Sequence, residues 1–393
     1  MKRHDKLAET IPVGNLGILA LESSREMGNR VNDYIVEWRQ ERSRMEAPAS
    51  SIADYSKDSY LIDCACPRFG SGEAKGLIRE SVRGDDLFLL VDVCNYSLTY
   101  KVCGQVNHMS PDDHYQDLKR LIAAVGGKAR RITVIMPFLY ESRQHRRSSR
   151  ESLDCALALQ ELTQMGVESI ITFDAHDPRV CNAIPLMGFD NVVPSYQVLK
   201  AMFHDIPHLR TTPDEFMVIS PDEGALNRNM YYASMLGVPM GMFYKRRDYS
   251  IIVNGRNPIV AHEYLGNSVE GKDVFIADDI ISSGESMLDI AYALKKRKAR
   301  RVFCYATYGL FVNGLQKFDD AYANGYIDAV FGTNLTYRTK ELLSREWFHE
   351  VDCSKYISFF IAALNHDASI GNVIDSNQKI KALLARRNQE EAE

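Results

Sequence analysis

The sequence predicts an α/β fold with two domains, each a mostly parallel sheet flanked by helices. Short apolar segments alternate with helical patterns along the chain, which is typical of parallel sheets. This alternation runs twice, and 393 residues are enough for two or three domains of ordinary size. Several of the apolar segments also end in acidic residues, and the carboxyl ends of the strands are where open α/β sheets bind their ligands.

The predicted strands are six apolar segments, at residues 87–93, 131–138, 169–175, 216–222, 273–279 and 301–307. Helical patterns lie between several of them and end in glycine or basic residues, as helix C-termini often do. Residues 189–197 are predicted to connect the two halves, and residues 47–60, rich in Ala and Ser, to form a surface loop.

The domain boundary follows from this repeated pattern. We predict an N-terminal domain at residues 1–191 and a C-terminal domain at residues 192–365. The remaining tail, residues 366–393, is expected to pack back on the N-terminal domain.

Composition restricts the class of protein. The chain is 45% hydrophobic and 25% charged, which is typical of a soluble globular protein. Its net charge is −5 without a basic stripe, so we expect no nucleic-acid partner. No apolar run is long enough for a bilayer or a secretory signal, so we expect no membrane and a cytoplasmic location. The eight cysteines form no CxxC pair and are expected to be reduced thiols.

Acidic residues end three of the predicted strands, namely Asp174, Asp222 and the pair Asp278 and Asp279. The crevice beyond the carboxyl ends of parallel strands is where such sheets bind ligands. These residues therefore indicate a polar site that tolerates cations. Each one alone could instead be a helix N-cap.

The segment after the aspartate pair is rich in hydroxyl groups and precedes a helical pattern. Backbone N–H groups at such a turn, together with the helix dipole, can hold a phosphate. Hydroxyl donors could come from Ser282, Ser283 and Ser286, around Gly284. The carboxylates would then face sugar hydroxyls, which describes a site for ribose 5-phosphate. A helix-capping aspartate is the alternative, but it leaves the second aspartate unexplained.

This arrangement resembles the phosphoribosyl-binding loop of the phosphoribosyltransferase superfamily. The whole chain, from about residue 15 to about residue 370, resembles the ribose-phosphate pyrophosphokinases (PRPP synthetases). The resemblance rests on segments in the same order as in that family, at residues 69–73, 80–90, 130–147, 171–176, 218–224, 245–247 and 269–286. It implies two phosphoribosyltransferase-like domains.

The resemblance also implies a site for MgATP. Its ATP-binding residues would be Phe69, Glu73, Arg143, Gln144 and His176, the first two reaching into a neighbouring subunit. Magnesium would be held by His176, directly or through water, and by Asp222, which also lies near the ribose phosphate. Magnesium prefers oxygen ligands and keeps several waters, so such loose contact is reasonable.

Residues 243–266 form a long polar connection that is predicted to be a catalytic lid, with a surface loop as the alternative. By the resemblance, Lys245 and Arg247 would stabilise the transition state. Ser81 and Arg83 match part of the family's regulatory phosphate region.

The activity implied is Mg²⁺-dependent diphosphoryl transfer from ATP to ribose 5-phosphate, giving PRPP and AMP for nucleotide biosynthesis. A phosphoribosyltransferase, a non-catalytic regulatory homologue and the same reaction on another 5-substituted ribose are the alternatives. Family resemblance favours self-association into dimers, with a hexamer built from them as an option.

The chain departs from the family at several positions. Glu285 stands where the family has glycine, and His145 and Ser148 replace acidic residues. The segment 94–114 is longer than in the family, which puts the assembly into question.

Overall fold

The computed structural model describes residues 10–45, 53–247 and 259–390. Contacts within the chain divide it into two compact units. The first unit comprises the chain up to residue 193 with residues 334–337 and 352–375, and the second comprises residues 194–333, 338–351 and 376 onward. Each unit contains a sheet of mostly parallel strands with helices, so the predicted fold class is confirmed.

The strands are β1 (Leu16–Ala20), β2 (Cys64–Ala65), β3 (Leu77–Ile78), β4 (Asp86–Leu90), β5 (Thr99–Val102), β6 (Gln105–His108), β7 (Arg131–Ile135), β8 (Ser169–Phe173), β9 (Gly188–Val192), β10 (Phe216–Ser220), β11 (Met240–Arg247), β12 (Ile259–Leu265), β13 (Asp273–Ile281), β14 (Arg301–Gly309), β15 (Ala329–Thr333) and β16 (Phe348–Val351). All six predicted segments contain a strand.

The helices are α1 (Arg25–Met45), α2 (Pro111–Val125), α3 (Asp154–Gln164), α4 (Ser195–Asp205), α5 (Leu226–Leu236), α6 (Glu285–Lys296), α7 (Gln316–Ala323), α8 (Lys340–Leu343), α9 (Ser354–Asn365), α10 (Gly371–Ile374) and α11 (Asn377–Glu390). None of the helices in the described parts of the chain is both long and apolar enough to span a membrane.

The two main sheets have interior strands that are largely buried. The first has the order β1-β4-β7-β8-β9 and the second the order β12-β11-β10-β13-β14-β15-β16. Neighbouring strands are parallel throughout, except for the antiparallel pair β11 and β12. β4 and β10 are buried at every position, because helices cover both faces of a parallel sheet. Parallel pairing brings the carboxyl ends of β10 and β13 to the same edge.

A buried ion pair lies at the opposite edge of each sheet. Asp86 begins β4 and accepts two hydrogen bonds from Arg131, the first residue of β7, both at 2.8 Å. In the second sheet Asp273 begins β13 and accepts from Arg301, the first residue of β14, at 2.6 and 3.1 Å. Arg300 adds two further hydrogen bonds to Asp273. Both carboxylates are fully buried, so the two sheets share one construction at their amino ends.

Two predicted loops contain regular structure instead. The connection at 189–197 includes β9, which pairs with β8, and the beginning of α4. Within the predicted surface loop at 47–60, the described part forms a short 3-10 helix and buries Tyr55 and Tyr60. The rest of that loop, up to residue 52, lies outside the described residues.

The C-terminal part of the chain is grouped differently from the prediction. Residues 352–375 belong to the first unit, although residues up to 365 were expected in the second. The physical reason is that α9 packs on α1, where the ring of Phe359 stacks on Trp38 at 4.4 Å between centroids. The apolar face of α9 is therefore covered by the first unit.

The last helix corrects the prediction for the tail. Residues from 376 onward belong to the second unit and not to the first. In α11 the side chain of Asn377 accepts a hydrogen bond from Tyr231 at 2.9 Å. Arg387 donates to the carbonyl of Phe203 at 3.3 Å. These contacts hold α11 on α4 and α5.

His366 gives the first unit a pH-dependent stability. Its Nδ1 donates to the carbonyl of Thr10 at 3.1 Å, so its Nε2 accepts from the hydroxyl of Tyr55 at 2.6 Å. Burial, followed by the charges of Arg39 and Arg42, lowers the pKa of His366 to about 4. Between the two pKa values, 6.5 in the unfolded chain and about 4 in the folded protein, the ring is therefore neutral in the folded protein and protonated in the unfolded chain.

We predict that the first unit loses on the order of 3 kcal/mol of unfolding free energy as the pH falls from 6.5 to 4, through this histidine alone. The loss occurs because the unfolded chain binds a proton in this range and the folded protein does not. Urea denaturation at several pH values measures it. The variant His366→Gln should show a smaller decline than the wild type.

The matched control for this prediction is His204→Gln, which changes an exposed histidine of α4. It should follow the wild-type decline. An equal decline in His366→Gln and in the wild type would contradict the assignment.

Candidate functional site

The predicted acidic residues of the second unit lie at the carboxyl edge of its sheet. Asp222 follows β10 by two residues, and β10 pairs in parallel with β13. Asp278 and Asp279 lie within β13, which was predicted to end at residue 279. The strand continues through Ile281 because its last residues still pair with β14.

Asp222 shapes the turn between β10 and α5. Its Oδ1 accepts hydrogen bonds from the backbone N–H groups of Gly224 at 3.0 Å and Ala225 at 3.1 Å. The hydroxyl of Ser220 donates to the carbonyl of Asp222 at 2.8 Å. These contacts fix the carboxylate in place within the turn. Asp222 is not the N-cap of α5, which is Ala225, so the helix-capping alternative does not describe this residue.

The aspartate pair is electrostatically strained. Oδ1 of Asp278 accepts from the N–H of Asp279 at 2.9 Å, and Oδ1 of Asp279 accepts from the N–H of Ile280 at 3.0 Å. Burial and the adjacent charge of Asp279 raise the pKa of Asp278 well above its usual range. Arg228, at 3.7 Å from Asp278, opposes this effect. A ligand that presents hydroxyl donors or a cation would relieve the repulsion.

The hydroxyl-rich turn after β13 leads directly into α6. Gly284 has φ of 80°, and a Cβ atom there would lie 2.3 Å from the ring of Phe318, so only glycine fits. Ser282 and Ser283 are half-buried, and Ser286 is exposed in the first turn of the helix. The turn has the form of a phosphate cradle at a helix N-terminus.

Glu285, the departure within this turn, has an ion-pair partner. It is the first residue of α6, and its carboxylate contacts the ammonium of Lys317 in α7. Both side chains are exposed. The contact with Lys317 offsets the negative charge that Glu285 brings to the cradle.

Asn229 is a buried residue at this edge that the sequence did not single out. Its amide nitrogen donates to the carbonyls of Ala277 and Ala225, both at 2.8 Å, and its Oδ1 accepts from the N–H of Ala277 at 3.2 Å. It thereby ties α5 to β13 directly before the aspartate pair. A polar residue on the same helix face as the buried Tyr232 and Leu236 is the signal that could have identified it.

The connection predicted at residues 243–266 is in part a pair of strands. β11 extends to residue 247 and pairs in an antiparallel manner with β12, which begins at residue 259. Lys245 and Arg247 therefore lie on β11. The middle of the predicted lid, residues 248–258, lies outside the described residues, so the lid remains a prediction.

The basic segment of the first unit follows β7. Arg143 is exposed, whereas Gln144 is half-buried and its amide nitrogen donates to the carbonyl of Ser152 at 2.8 Å. The backbone N–H of Gln144 donates to the carbonyl of Glu141, which closes a turn. The arginine is accessible for an anionic ligand, while the glutamine is held by its own loop.

His176 follows β8 near this basic segment. Its exposed ring lies 5.4 Å from the ring of His145, between centroids. His145 contacts Asp177 at 3.5 Å, and hydrogen bonds from Arg179 lower the pKa of that carboxyl group to about 2. Asp174, the predicted acidic strand end, is buried. His145, which belongs to the basic segment after β7, thus lies between that segment and His176.

Phe69 and Glu73 lie in the loop between β2 and β3. The N–H of Phe69 donates to the carbonyl of Glu73 at 2.7 Å, which closes the loop. Phe69 is 54% exposed, so a face of its ring is available for stacking. Glu73 is exposed and accepts from the hydroxyl of Ser71 at 2.8 Å.

The longer segment at 94–114 contains the β5–β6 hairpin. The N–H of Cys103 at the hairpin turn donates to the carbonyl of Gly70 at 2.9 Å. The hairpin therefore supports the loop between β2 and β3. Ser81 and Arg83, also in the first unit, are exposed.

No group of three or more His, Cys, Asp or Glu residues that could hold a metal ion occurs within residues 10–45, 53–247 and 259–390. A cation that keeps several waters and arrives with a phosphate ligand needs only one or two protein ligands. In the second unit, the carboxylate oxygens of Asp222 and of the aspartate pair are ligands of the kind that such a cation prefers. In the first unit, the exposed ring of His176 can contact a cation through one of its waters.

Both units of the chain are similar in sequence to domains of known proteins. Residues 16–166 match the N-terminal domain of ribose phosphate pyrophosphokinase, and residues 198–337 match the phosphoribosyl transferase domain. The ribose-phosphate pyrophosphokinase of Vibrio vulnificus is 29% identical over 326 residues, which cover 82% of this chain and 94% of the relative. That of Ralstonia nicotianae is 29% identical over 250 residues, covering 63% and 70%.

A solved structure shows the same fold. The phosphoribosylpyrophosphate synthetase from Mycobacterium smegmatis superimposes with a TM-score of 0.68 at 21% identity, covering 90% of this chain and 100% of that one. The order of the matched domains, their extent and the common fold lead to one conclusion: the chain belongs to the ribose-phosphate pyrophosphokinase family, within the phosphoribosyltransferase superfamily.

Proposed function

We propose that this protein is a ribose-phosphate diphosphokinase. It transfers the β,γ-diphosphoryl group of MgATP to the 1-hydroxyl of ribose 5-phosphate, which gives AMP and PRPP for nucleotide biosynthesis. The observation that carries the proposal lies at the edge of the second sheet. There Asp278, whose pKa is raised, and the adjacent Asp279 are followed directly by a glycine-containing, hydroxyl-rich turn that begins α6. Membership of the family supports it.

The acceptor would bind along the end of β13 and the beginning of α6. Asp278 and Asp279 accept hydrogen bonds from the ribose hydroxyls, because carboxylates bind a diol and repel a phosphate. The 5-phosphate is bound by backbone N–H groups and by the hydroxyl groups of Ser282, Ser283 and Ser286, with Gly284 allowing the turn. Asp222 lies near the ribose phosphate and its cation.

The nucleotide would bind through the basic segment of the first unit. The guanidinium of Arg143 binds phosphate oxygens, and Gln144 contacts the purine after release from its loop contact. Phe69 stacks on the adenine in a neighbouring subunit, and Glu73 accepts from the adenine amino group. Self-association as dimers, with a hexamer of such dimers as an option, belongs to this proposal.

The transfer is an in-line displacement. The 1-hydroxyl oxygen bonds to the β-phosphorus, the bond from that phosphorus to the oxygen of the AMP phosphate breaks, and the hydroxyl proton goes to solvent. Lys245 and Arg247 stabilise charge on the non-bridging oxygens and on the departing AMP. Magnesium, when bound with ATP, neutralises phosphate charge, and His176 and Asp222 would hold it. Positioning supplies the rest of the rate.

Exposed Ser81 and Arg83 would form part of a regulatory phosphate site.

The deciding assay incubates the purified protein with ATP, Mg²⁺ and ribose 5-phosphate and measures AMP. Formation of AMP that depends on ribose 5-phosphate supports the synthetase. A phosphoribosyltransferase would consume PRPP without needing ATP, and a regulatory homologue would bind ligands without releasing AMP. A panel of 5-substituted riboses in the same assay identifies the acceptor.

We predict that Lys245→Ala lowers kcat by about 10²-fold or more, with little change in the KM for ATP, because the cation acts on charge that develops in the transition state. Steady-state kinetics of AMP formation measure both parameters. The control Lys128→Ala removes an exposed lysine of the first unit and should keep wild-type turnover. Near-normal kcat in Lys245→Ala would refute its catalytic assignment.

We also predict that Asp278→Asn and Asp279→Asn each raise the KM for ribose 5-phosphate by about tenfold or more, since an amide nitrogen, which only donates, replaces one acceptor oxygen for the sugar hydroxyls. The KM for ATP should change less. Asp214→Asn is the matched control, because Asp214 is exposed and precedes the other end of β10. Equal increases in both KM values would contradict an acceptor-specific role.

A further inference from the structure

The ion pair between Lys317 and Glu285 lies on the phosphate cradle of the second unit. Glu285 is the first residue of α6, and its carboxylate contacts the ammonium of Lys317. The next residue of α7, Phe318, is fully buried and occupies the space beside Gly284. Two neighbouring residues of α7 therefore contact the turn before α6: Phe318 packs against Gly284, and Lys317 places a cation beside Glu285.

The contribution of this ion pair to folding stability does not explain its presence. Both side chains are 55% exposed, and exposed ion pairs contribute little to stability because water and salt screen them. The carboxylate of Glu285 alone would favour the helix, since the N-terminus of a helix attracts negative charge. A stabilising carboxylate at that end needs no lysine from another helix, so the lysine requires a different explanation.

The electrostatics of an anionic ligand provide that explanation. A phosphate at the N-terminus of α6 would meet the charge of Glu285 within the first turn, and like charges at such distances repel. The contact with Glu285, and more weakly the charge of Asp289, raises the pKa of Lys317. The ammonium, which any exposed lysine carries at neutral pH, is therefore further stabilised. The lysine thus cancels the repulsion where a phosphate would bind.

We propose that Lys317 is a residue of the phosphate subsite and that the Lys317–Glu285 pair sets the affinity of the cradle for the phosphate of the acceptor. This inference rests on the proposed function, because it names a further binding residue of the same acceptor site. Removal of Lys317 leaves an unbalanced carboxylate, and removal of Glu285 leaves an unbalanced cation. The two residues therefore act in opposite directions on phosphate binding.

The test is a double-mutant cycle in equilibrium binding, measured by calorimetry at low salt and without ATP. The proteins are the wild type, Lys317→Met, Glu285→Gln and the double variant. The probes are ribose 5-phosphate, inorganic phosphate and ribose, the last of which lacks the phosphate. Lys296→Met is the matched control, since Lys296 is exposed at the other end of α6.

We expect Lys317→Met to weaken the binding of both phosphate-containing probes about tenfold, while Glu285→Gln leaves it equal or tighter. The double variant should return to within about threefold of the wild type, because the repulsive carboxylate is gone as well. Ribose binding and the control variant should be unaffected. Thermal unfolding of each variant shows whether a loss of binding comes from a loss of folding.

Two outcomes overturn the inference. In the first, Lys317→Met binds ribose 5-phosphate and inorganic phosphate as the wild type does. In the second, the double variant loses as much affinity as Lys317→Met alone. If the wild type binds the phosphate probes but releases no AMP with ATP present, the proposed function fails and the binding cycle still decides the role of Lys317.

Discussion

In each sheet a buried aspartate begins an interior strand, β4 or β13, and accepts hydrogen bonds from the arginine that begins the neighbouring strand, β7 or β14. This ion pair fixes the register between β4 and β7 and between β13 and β14. A slip of one residue would turn every side chain of a strand to the other face. The direction of Asp278 at the end of β13 therefore depends on Asp273 at its beginning, so the ion pair at one edge determines the geometry at the other.

The two edges of the second sheet balance their charges differently. Burial raises the pKa of Asp273, but hydrogen bonds from Arg300 and Arg301 outweigh it and leave the pKa lowered. At the carboxyl edge, burial and a neighbouring carboxylate raise the pKa of Asp278, and Arg228 at 3.7 Å compensates only in part. The arginines at the amino edge keep the carboxylate of Asp273 charged, whereas the charged form of Asp278 at the carboxyl edge is disfavoured. Strongly perturbed pKa values of the second kind are typical of functional sites.

The sequence predicts those features whose cause is local. The apolar runs gave the six central strands, and the adjacent aspartates with the following turn could be recognised because they lie within nine residues. Lys317 could not be recognised in this way, because its partner Glu285 lies 32 residues away along the chain. For Asn229 the sequence shows a polar residue on a buried helix face, but not its partner Ala277, which lies 48 residues away. The position of α9 was predicted wrongly for a similar reason, since its own sequence does not show that its apolar face meets Trp38.

The two units share one backbone arrangement, a parallel sheet, but carry side chains of opposite charge after their strands. Parallel strands end at one edge in each sheet, but β7 is followed by a basic segment with Arg143, and β13 carries carboxylates and leads into hydroxyl groups. Because this arrangement fixes only where the side chains emerge, each edge is free to suit a different ligand. Glu285 shows the limit of this freedom. Its carboxylate, on the first residue of α6, forms an ion pair with Lys317 of α7, so a change at this turn also affects a residue on another helix.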